Sequence, residues 1–251
     1  MGIEDDIACL TLDGASRRNA LDQEFWESFA DTLDALESAI PHTIVLTGEG
    51  EAFCAGGDVA RMRESFVAME TGSFEDPERV RMDWIDDLLI RWASLPVPKI
   101  AAVNGTAVGA GLALAASCDY LIVAEDAFFD SGFSRLGLPG DMGATHYLAR
   151  ILGSRRAALW LLRARQIGSA EALAVGLADE VVSLPELLSS AHSAANALAS
   201  GAPDAAAFIL NRPAEVAALR VALDREREAT LAAKQTPFHR EAVERFFAKT
   251  G

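Results

Sequence analysis

The chain has 251 residues, 51% of them hydrophobic and 24% charged, which is enough for one large domain or two small ones around a substantial core. A formal net charge of −15 repels polyanions and excludes nucleic acid and anionic membrane surfaces as partners. No apolar run approaches the roughly 18 residues of a membrane span, and the acidic start "MGIEDDIACL" lacks the basic and apolar stretches of a secretion signal, so a soluble, cytoplasmic protein is expected.

In chain order, "IACLTL" (7–12) and "TIVLT" (43–47) are short β-branched apolar runs that predict strands. Between them Phe25, Phe29, Leu33, Leu36 and Ile40 recur at helical spacing behind Asp22, a helix cap by type and position. The stretch 62–80 is polar and turn-rich and reads as a flap over a site. A helical run through Trp84, Leu88, Ile90 and Trp92 follows it, and Pro96 and Pro98 stop that run. "KIAAV" (99–103) predicts a strand, "GAGLALAAS" (109–117) a small-residue helix and "DYLIVAE" (119–125) the next strand. This alternation predicts an α/β fold with a sheet covered on both faces over residues 1–183. Beyond "DEVVS" (179–183) the pattern is helical, so residues 184–251 are expected to form a lid or an oligomer interface.

Cys9, Cys54 and Cys118 are odd in number and widely spaced, and read as buried thiols. His42, His146, His192 and His239 are scattered, so no metal site is expected and no cofactor is implied. His146 is expected to face solvent or a subunit contact.

Two glycine-rich stretches, "EAFCAGGDV" (51–59) and "NGTAVGAGLALAASCDY" (104–120), each follow a strand and precede a helix. Almost free of ionisable side chains, they can offer backbone N–H groups at helix N-termini, where donors are unsatisfied and the dipole is positive. Two such amides converging on one carbonyl oxygen make an oxyanion hole, and small residues let a ligand approach the backbone. Tight turns alone would also account for the glycines. "GAGLAL" (109–114) opens like a dinucleotide fingerprint, but Leu114 stands where Gly or Ala is wanted and "NGTAV" separates it from the strand. The sequence contains no GxSxG serine-nucleophile motif.

With "RRNAL" (17–21), "VPKIAAVNGTAVGAGLALAASCDY" (97–120), "GLPGDMGATHYLARILG" (137–153), "AVGLADEVV" (174–182) and "HREAVERF" (239–246), these stretches resemble, in order and over nearly the whole chain, the crotonase or enoyl-CoA hydratase/isomerase superfamily. The resemblance implies a ββα spiral core for residues 1–183, a helical C-terminal trimerisation region for 184–251, a homotrimer or dimer of trimers, and an acyl-CoA thioester as substrate. It places the oxyanion amides at Ala55 and Ala110, and the CoA-binding positions at Arg18, Ala20, Ala52 and Gly57. Asp58 is expected to cap the following helix, and Asp119 matches a structural aspartate.

The two glutamates of the hydratase pattern fall here on Ala113 and Phe133, substrate-lining positions that can neither position water nor transfer a proton. A third position, used by isomerase-like and dehalogenase-like members, falls on Asp141, for which the alternative is a plain helix N-cap. Asp130 is the reserve carboxylate. Phe133, Phe128, Phe129, Trp84 and Trp92 could line an acyl pocket. A double-bond isomerase with a single catalytic Asp141 is the leading expectation. A hydrolase, dehalogenase or other lyase on the same scaffold, and a catalytically silent acyl-CoA-binding subunit, are the alternatives.

Overall fold

A computed structural model of the protein describes residues 1–4, 6–73, 75–199, 203–210 and 212–250, with all their side chains except those of 4, 75, 203, 204, 249 and 250. The elements run β1 (Gly2–Glu4), β2 (Ile7–Leu12), α1 (Gln23–Ser38), β3 (Thr43–Gly48), β4 (Ala52–Cys54), α2 (Val59–Glu70) and α3 (Glu75–Ser94). Next come β5 (Lys99–Val103), β6 (Thr106–Val108), α4 (Ala110–Ala116), β7 (Tyr120–Ala124), β8 (Phe128–Asp130), α5 (Ala144–Leu152), α6 (Ser154–Arg163), β9 (Gln166–Gly168) and α7 (Ser169–Val175). The chain closes with β10 (Glu180–Val182), α8 (Leu187–Ala199), α9 (Pro203–Leu210), α10 (Arg212–Lys234) and α11 (Pro237–Thr250).

The strands form two sheets, ordered β1-β2-β3-β5-β7-β10 and β4-β6-β8-β9, and from β3 to β8 they alternate between them. Each turn of the chain lays one strand in the first sheet, one in the second, and then a helix: β3-β4-α2, β5-β6-α4, β7-β8-α5. Successive turns pair in parallel, Val45 with Ile100 and Ala101 with Leu121 in one sheet, Cys54 with Ala107 and Ala107 with Phe129 in the other. The result is a ββα spiral.

The predicted strands and the first helix are present. Asp22 caps α1 by accepting the Phe25 N–H at 2.9 Å, and Trp26, Phe29, Leu33 and Leu36 bury its apolar face. Ile40 falls beyond the helix end and is exposed. The larger departure concerns 62–80, expected as a flap: it is the body of α2 and the start of α3, with a turn between them. Its many charges are helix-compatible, and several of them pair with α10 and α11, the Glu78–Lys234 pair buried and the others at the surface. The described residues beyond Leu184 are mostly helical, as expected; Leu219 and Leu223 of α10 belong to the main core, while Leu187, Ala191 and Ala195 of α8 cover the far face of the larger sheet. Cys54 and Cys118 are buried free thiols, pushed up to about 12 by burial, whereas Cys9 is only half-buried.

Candidate active site

The parallel pairing of β4, β6 and β8 sets three chain segments side by side, because the ends of neighbouring strands in one sheet are neighbours in space. The first segment, 55–58, enters α2, where Asp58 caps the helix by accepting the Ala60 N–H at 2.9 Å and the Arg61 N–H at 3.3 Å. The second turns through Gly109 into α4. The third, 131–143, carries Phe133 and Asp141 into α5.

Two glycines clamp the first two segments together. A Cβ on Gly56, which has φ +96°, would lie 2.6 Å from the Val108 carbonyl oxygen and 3.6 Å from the Ala110 nitrogen. One on Gly111 would lie 2.4 Å from the Cys54 carbonyl oxygen. Only a residue without a side chain allows this backbone-to-backbone contact.

Ala110 is the first residue of α4, so its N–H has no partner within the helix. Ala55 does not match it. The Ala55 N–H donates to the Arg18 carbonyl at 2.9 Å and is committed to the fold. Gly57, two residues on, lines the same cavities as Ala110, and among the described residues no hydrogen bond from its amide to a backbone or side-chain acceptor is formed. The expected pair Ala55 and Ala110 is therefore corrected to Gly57 and Ala110: the segment is right, and the hydrogen bond to Arg18 decides which of its amides is free.

Two chambers adjoin at this point, and Gly57, Met62, Ala110 and Asp141 line both. The outer, of about 340 Å³, is walled largely by apolar groups, among them Val108, Phe133, Leu138 and Phe246. The inner, of about 50 Å³, has an apolar side formed by Trp26, Met82 and Ile85, and an ionic side formed by Glu78, Arg81, Asp86 and Lys234.

Asp141 is not a helix cap. The cap position of α5 is Gly143, at φ 76°. Its free amides are taken by Glu226, which reaches across from α10: the Gly143 N–H donates to Oε2 at 2.8 Å, and the Thr145 N–H and hydroxyl donate to Oε1 at 2.8 and 2.5 Å. Asp141 keeps one local bond, from the Met142 N–H at 2.9 Å. Burial raises its proton affinity above the ordinary aspartate range, and Lys234, the Met142 N–H and Arg81 pull against it without cancelling it. Burial likewise lifts Glu226 to about 7 against its bonds to Thr145, with a further upward push from Asp141.

Of the other expected residues, Phe133 lines the outer chamber, but Ala113 is fully buried inside α4 and lines neither chamber. Arg18 is exposed, with Nη2 donating to the Thr106 hydroxyl at 3.2 Å, whereas neighbouring Arg17 is held by Asp22 at 2.5 Å. Ala20 lies half-buried in a separate cleft beside Arg17, and Ala52 is buried in β4, so its side chain is core and cannot line a ligand. Asp130 is ruled out as the reserve acid: it is buried, bonds the Gly132 N–H and pairs with Arg135 at 2.6 Å. Trp92 and Phe129 are wholly core and Trp84 packs against it, so none of these three forms part of an acyl wall. Phe128 is half-buried and lines neither chamber. Asp119 is structural, accepting both Arg212 Nη groups and the Lys99 N–H. His146 is half-buried in a groove between α5 and α10, away from both chambers, and burial pushes its pKa down.

The ionic wall of the inner chamber was invisible in the sequence. Glu78 pairs with Lys234 at 2.6 Å and Arg61 at 2.5 Å, and Arg81 approaches it at 3.5 Å. Burial alone would raise Glu78, but Lys234, Arg81 and Arg61 together hold it below the ordinary glutamate range. No spacing rule joins residue 78 to residue 234.

A ββα spiral whose strand ends present two free amides and one buried acid to a cleft defines an acyl-transforming type of protein, and comparison with known proteins agrees. The enoyl-CoA hydratase/isomerase family matches residues 2–250, and the chain belongs to that family. It is 33% identical to the 1,2-epoxyphenylacetyl-CoA isomerase of Escherichia coli, over 98% of this chain and 94% of the relative. It is 30% identical to a 4-chlorobenzoyl coenzyme A dehalogenase of Arthrobacter, over 83% and 74% respectively. The crystal structure of an enoyl-CoA hydratase from Bacillus halodurans superposes with a TM-score of 0.86 at 25% identity, covering 97% of this chain and 98% of that one.

Proposed function

We propose that the protein is an acyl-CoA double-bond isomerase in which Gly57 and Ala110 hold the thioester oxygen and Asp141 moves one proton. The observation that carries this reading is the state of Asp141: Glu226 relieves it of capping, and its carboxyl stands with raised proton affinity beside two free amides. Ionised Asp141 takes a proton from a carbon next to the unsaturated system. The electron pair passes to the thioester oxygen as an enolate, where two preorganised N–H donors stabilise it more than they do the neutral carbonyl. The same carboxyl, now protonated, returns the proton to a different carbon, and the double bond has moved with no change in composition. A base with raised proton affinity suits both halves of this exchange.

Ala113 and Phe133 supply no carboxylate to activate a water. Asp86 and Glu78, also on the inner chamber, are held by Arg227 and by Lys234 with Arg61. Arg18, exposed and with the Thr106 hydroxyl as its one side-chain partner among the described residues, is positioned to meet a CoA phosphate. Purified protein incubated with a panel of unsaturated acyl-CoA thioesters and followed by chromatography with mass spectrometry tests the proposal. A product of unchanged mass and new retention time is expected; a gain of one water or release of free CoA as the main product would refute it.

A further inference from the structure

The polar half of the inner chamber has a feature that proton transfer at Asp141 does not use. Glu78 has both carboxylate oxygens engaged, Oε1 by the Lys234 ammonium at 2.6 Å and Oε2 by the Arg61 guanidinium at 2.5 Å. Arg81 is a third cation on an anion already satisfied. Its Nε comes only to 3.5 Å from Oε2 and is buried without a hydrogen-bond partner among the described residues. A guanidinium carries five N–H donors in a fixed fork shaped for carboxylate and carbonyl oxygens, and burying one unbonded is costly. Burial accordingly pulls the Arg81 pKa below its usual value, with Glu78 and Asp141 acting to restore it.

The chamber containing this fork is the one that Gly57, Ala110 and Asp141 open into, so an acyl chain whose thioester rests on those amides reaches it beyond the reacting carbons. The chamber, of about 50 Å³, has room for a small oxygen-bearing end such as a carboxylate or ketone. Trp26, Met82 and Ile85 supply the apolar wall for the methylenes that lead there. The nearby acids do not forbid an anion: Glu78 is neutralised by its two partners, and Asp86 is paired with Arg227 at 2.5 Å.

We propose that Arg81 is a specificity-determining residue that receives an oxygen acceptor, a carboxylate or a ketone, carried on the acyl group a few carbons beyond the thioester. The inference rests on the acyl-CoA reading above and adds the chemical class of the acyl end.

Calorimetric titration with three saturated, unreactive thioesters of equal chain length tests it: hexanoyl-CoA, the monothioester adipyl-CoA and 5-oxohexanoyl-CoA. The two oxygenated ligands are expected to bind at least about tenfold more tightly than hexanoyl-CoA, the scale of one charge-assisted hydrogen bond. Arg81→Met, which keeps the length and removes the fork, should bring all three within about twofold while leaving the Glu78–Lys234–Arg61 pairs in place. Arg81→Gln serves as a second substitution should the Met variant fold poorly. Hexanoyl-CoA binding as tightly as the oxygenated pair, or a preference that survives both substitutions, overturns the inference and leaves the acyl-CoA reading standing. Failure of all three thioesters to bind removes that reading and this inference with it.

Discussion

Gly57 and Ala110 meet because β4 and β6 are neighbours in one sheet, whereas Asp141 meets Glu226, Lys234 and Arg81 because α10 packs against both α3 and α5. The first corner is made of backbone, and its requirements are local: a strand, a glycine where two chains touch, a helix start. The second is made of side chains from residues 78, 81, 141, 226 and 234, brought together from distant parts of the chain. Backbone donors keep their chemistry whatever surrounds them, while a buried carboxyl has the proton affinity its neighbours give it. The two corners should therefore fail differently when altered.

The largest effect is expected from Asp141→Asn. Since Glu226 caps α5, this substitution should leave folding and CoA binding near those of the parent. Turnover should fall on the order of a hundredfold or more, the scale of general acid–base catalysis. Turnover within a few-fold of the parent in a well-folded variant would place the chemistry elsewhere.

Glu226→Gln probes the acid corner through pH. The folded-state value of about 7 lies above the ordinary 4.5, so between these pH values the folded protein holds a proton that the unfolded chain has released. Stability contributed by this group is present below about pH 4.5 and falls as pH rises toward 7. With 1.36 kcal/mol for each pKa unit, the fall amounts to roughly 3 kcal/mol at most. Urea unfolding at pH 5 and pH 7.5 should show a smaller difference for Glu226→Gln than for the parent; equal slopes would mean that Glu226 does not titrate in this window.

In the backbone corner, Gly111→Ala puts a methyl 2.4 Å from the Cys54 carbonyl oxygen, a clash that only movement of the backbone can relieve. Overpacking of this kind costs about 1–3 kcal/mol, and turnover should drop because the two amides are displaced. At Gly57 the nearest atom to an added Cβ is the flexible end of Met62 at 3.7 Å, so Gly57→Ala should unfold at nearly the parental temperature. Equal thermal stability of the two variants would contradict the clamp.

The smallest effect is expected from Arg18→Ala, an exposed residue with one weak local partner. Loss of one surface phosphate contact should weaken CoA by roughly 1 kcal/mol, about fivefold, with dephospho-CoA less affected. Equal losses for both ligands would show that Arg18 does not read the 3′-phosphate.

The alternation of β-branched runs and helical periodicity identified the α/β core, Asp22 and Asp58 marked two helix starts, and the two glycine-rich segments located the amide corner, because each of these signals is written within a few residues. Which amide in "CAGG" is free was decided by a contact between Ala55 and the carbonyl of Arg18, thirty-seven residues earlier in the chain. The charges of 62–80 read as a solvated flap because a charged helix that faces water and one that pairs with a distant helix have the same local composition. Glu226 sits in "DREREAT", where nothing distinguishes it from its exposed neighbours. The sequence by itself determined that two glycine-rich loops follow strands and open helices, where backbone donors are unpaired, and the family resemblance singled out Asp141. Only the tertiary structure, by bringing α3 and α10 over that aspartate, decided that its carboxyl is relieved of capping, buried and raised in proton affinity, since desolvation and ion pairing depend on distances that spacing along the chain does not encode.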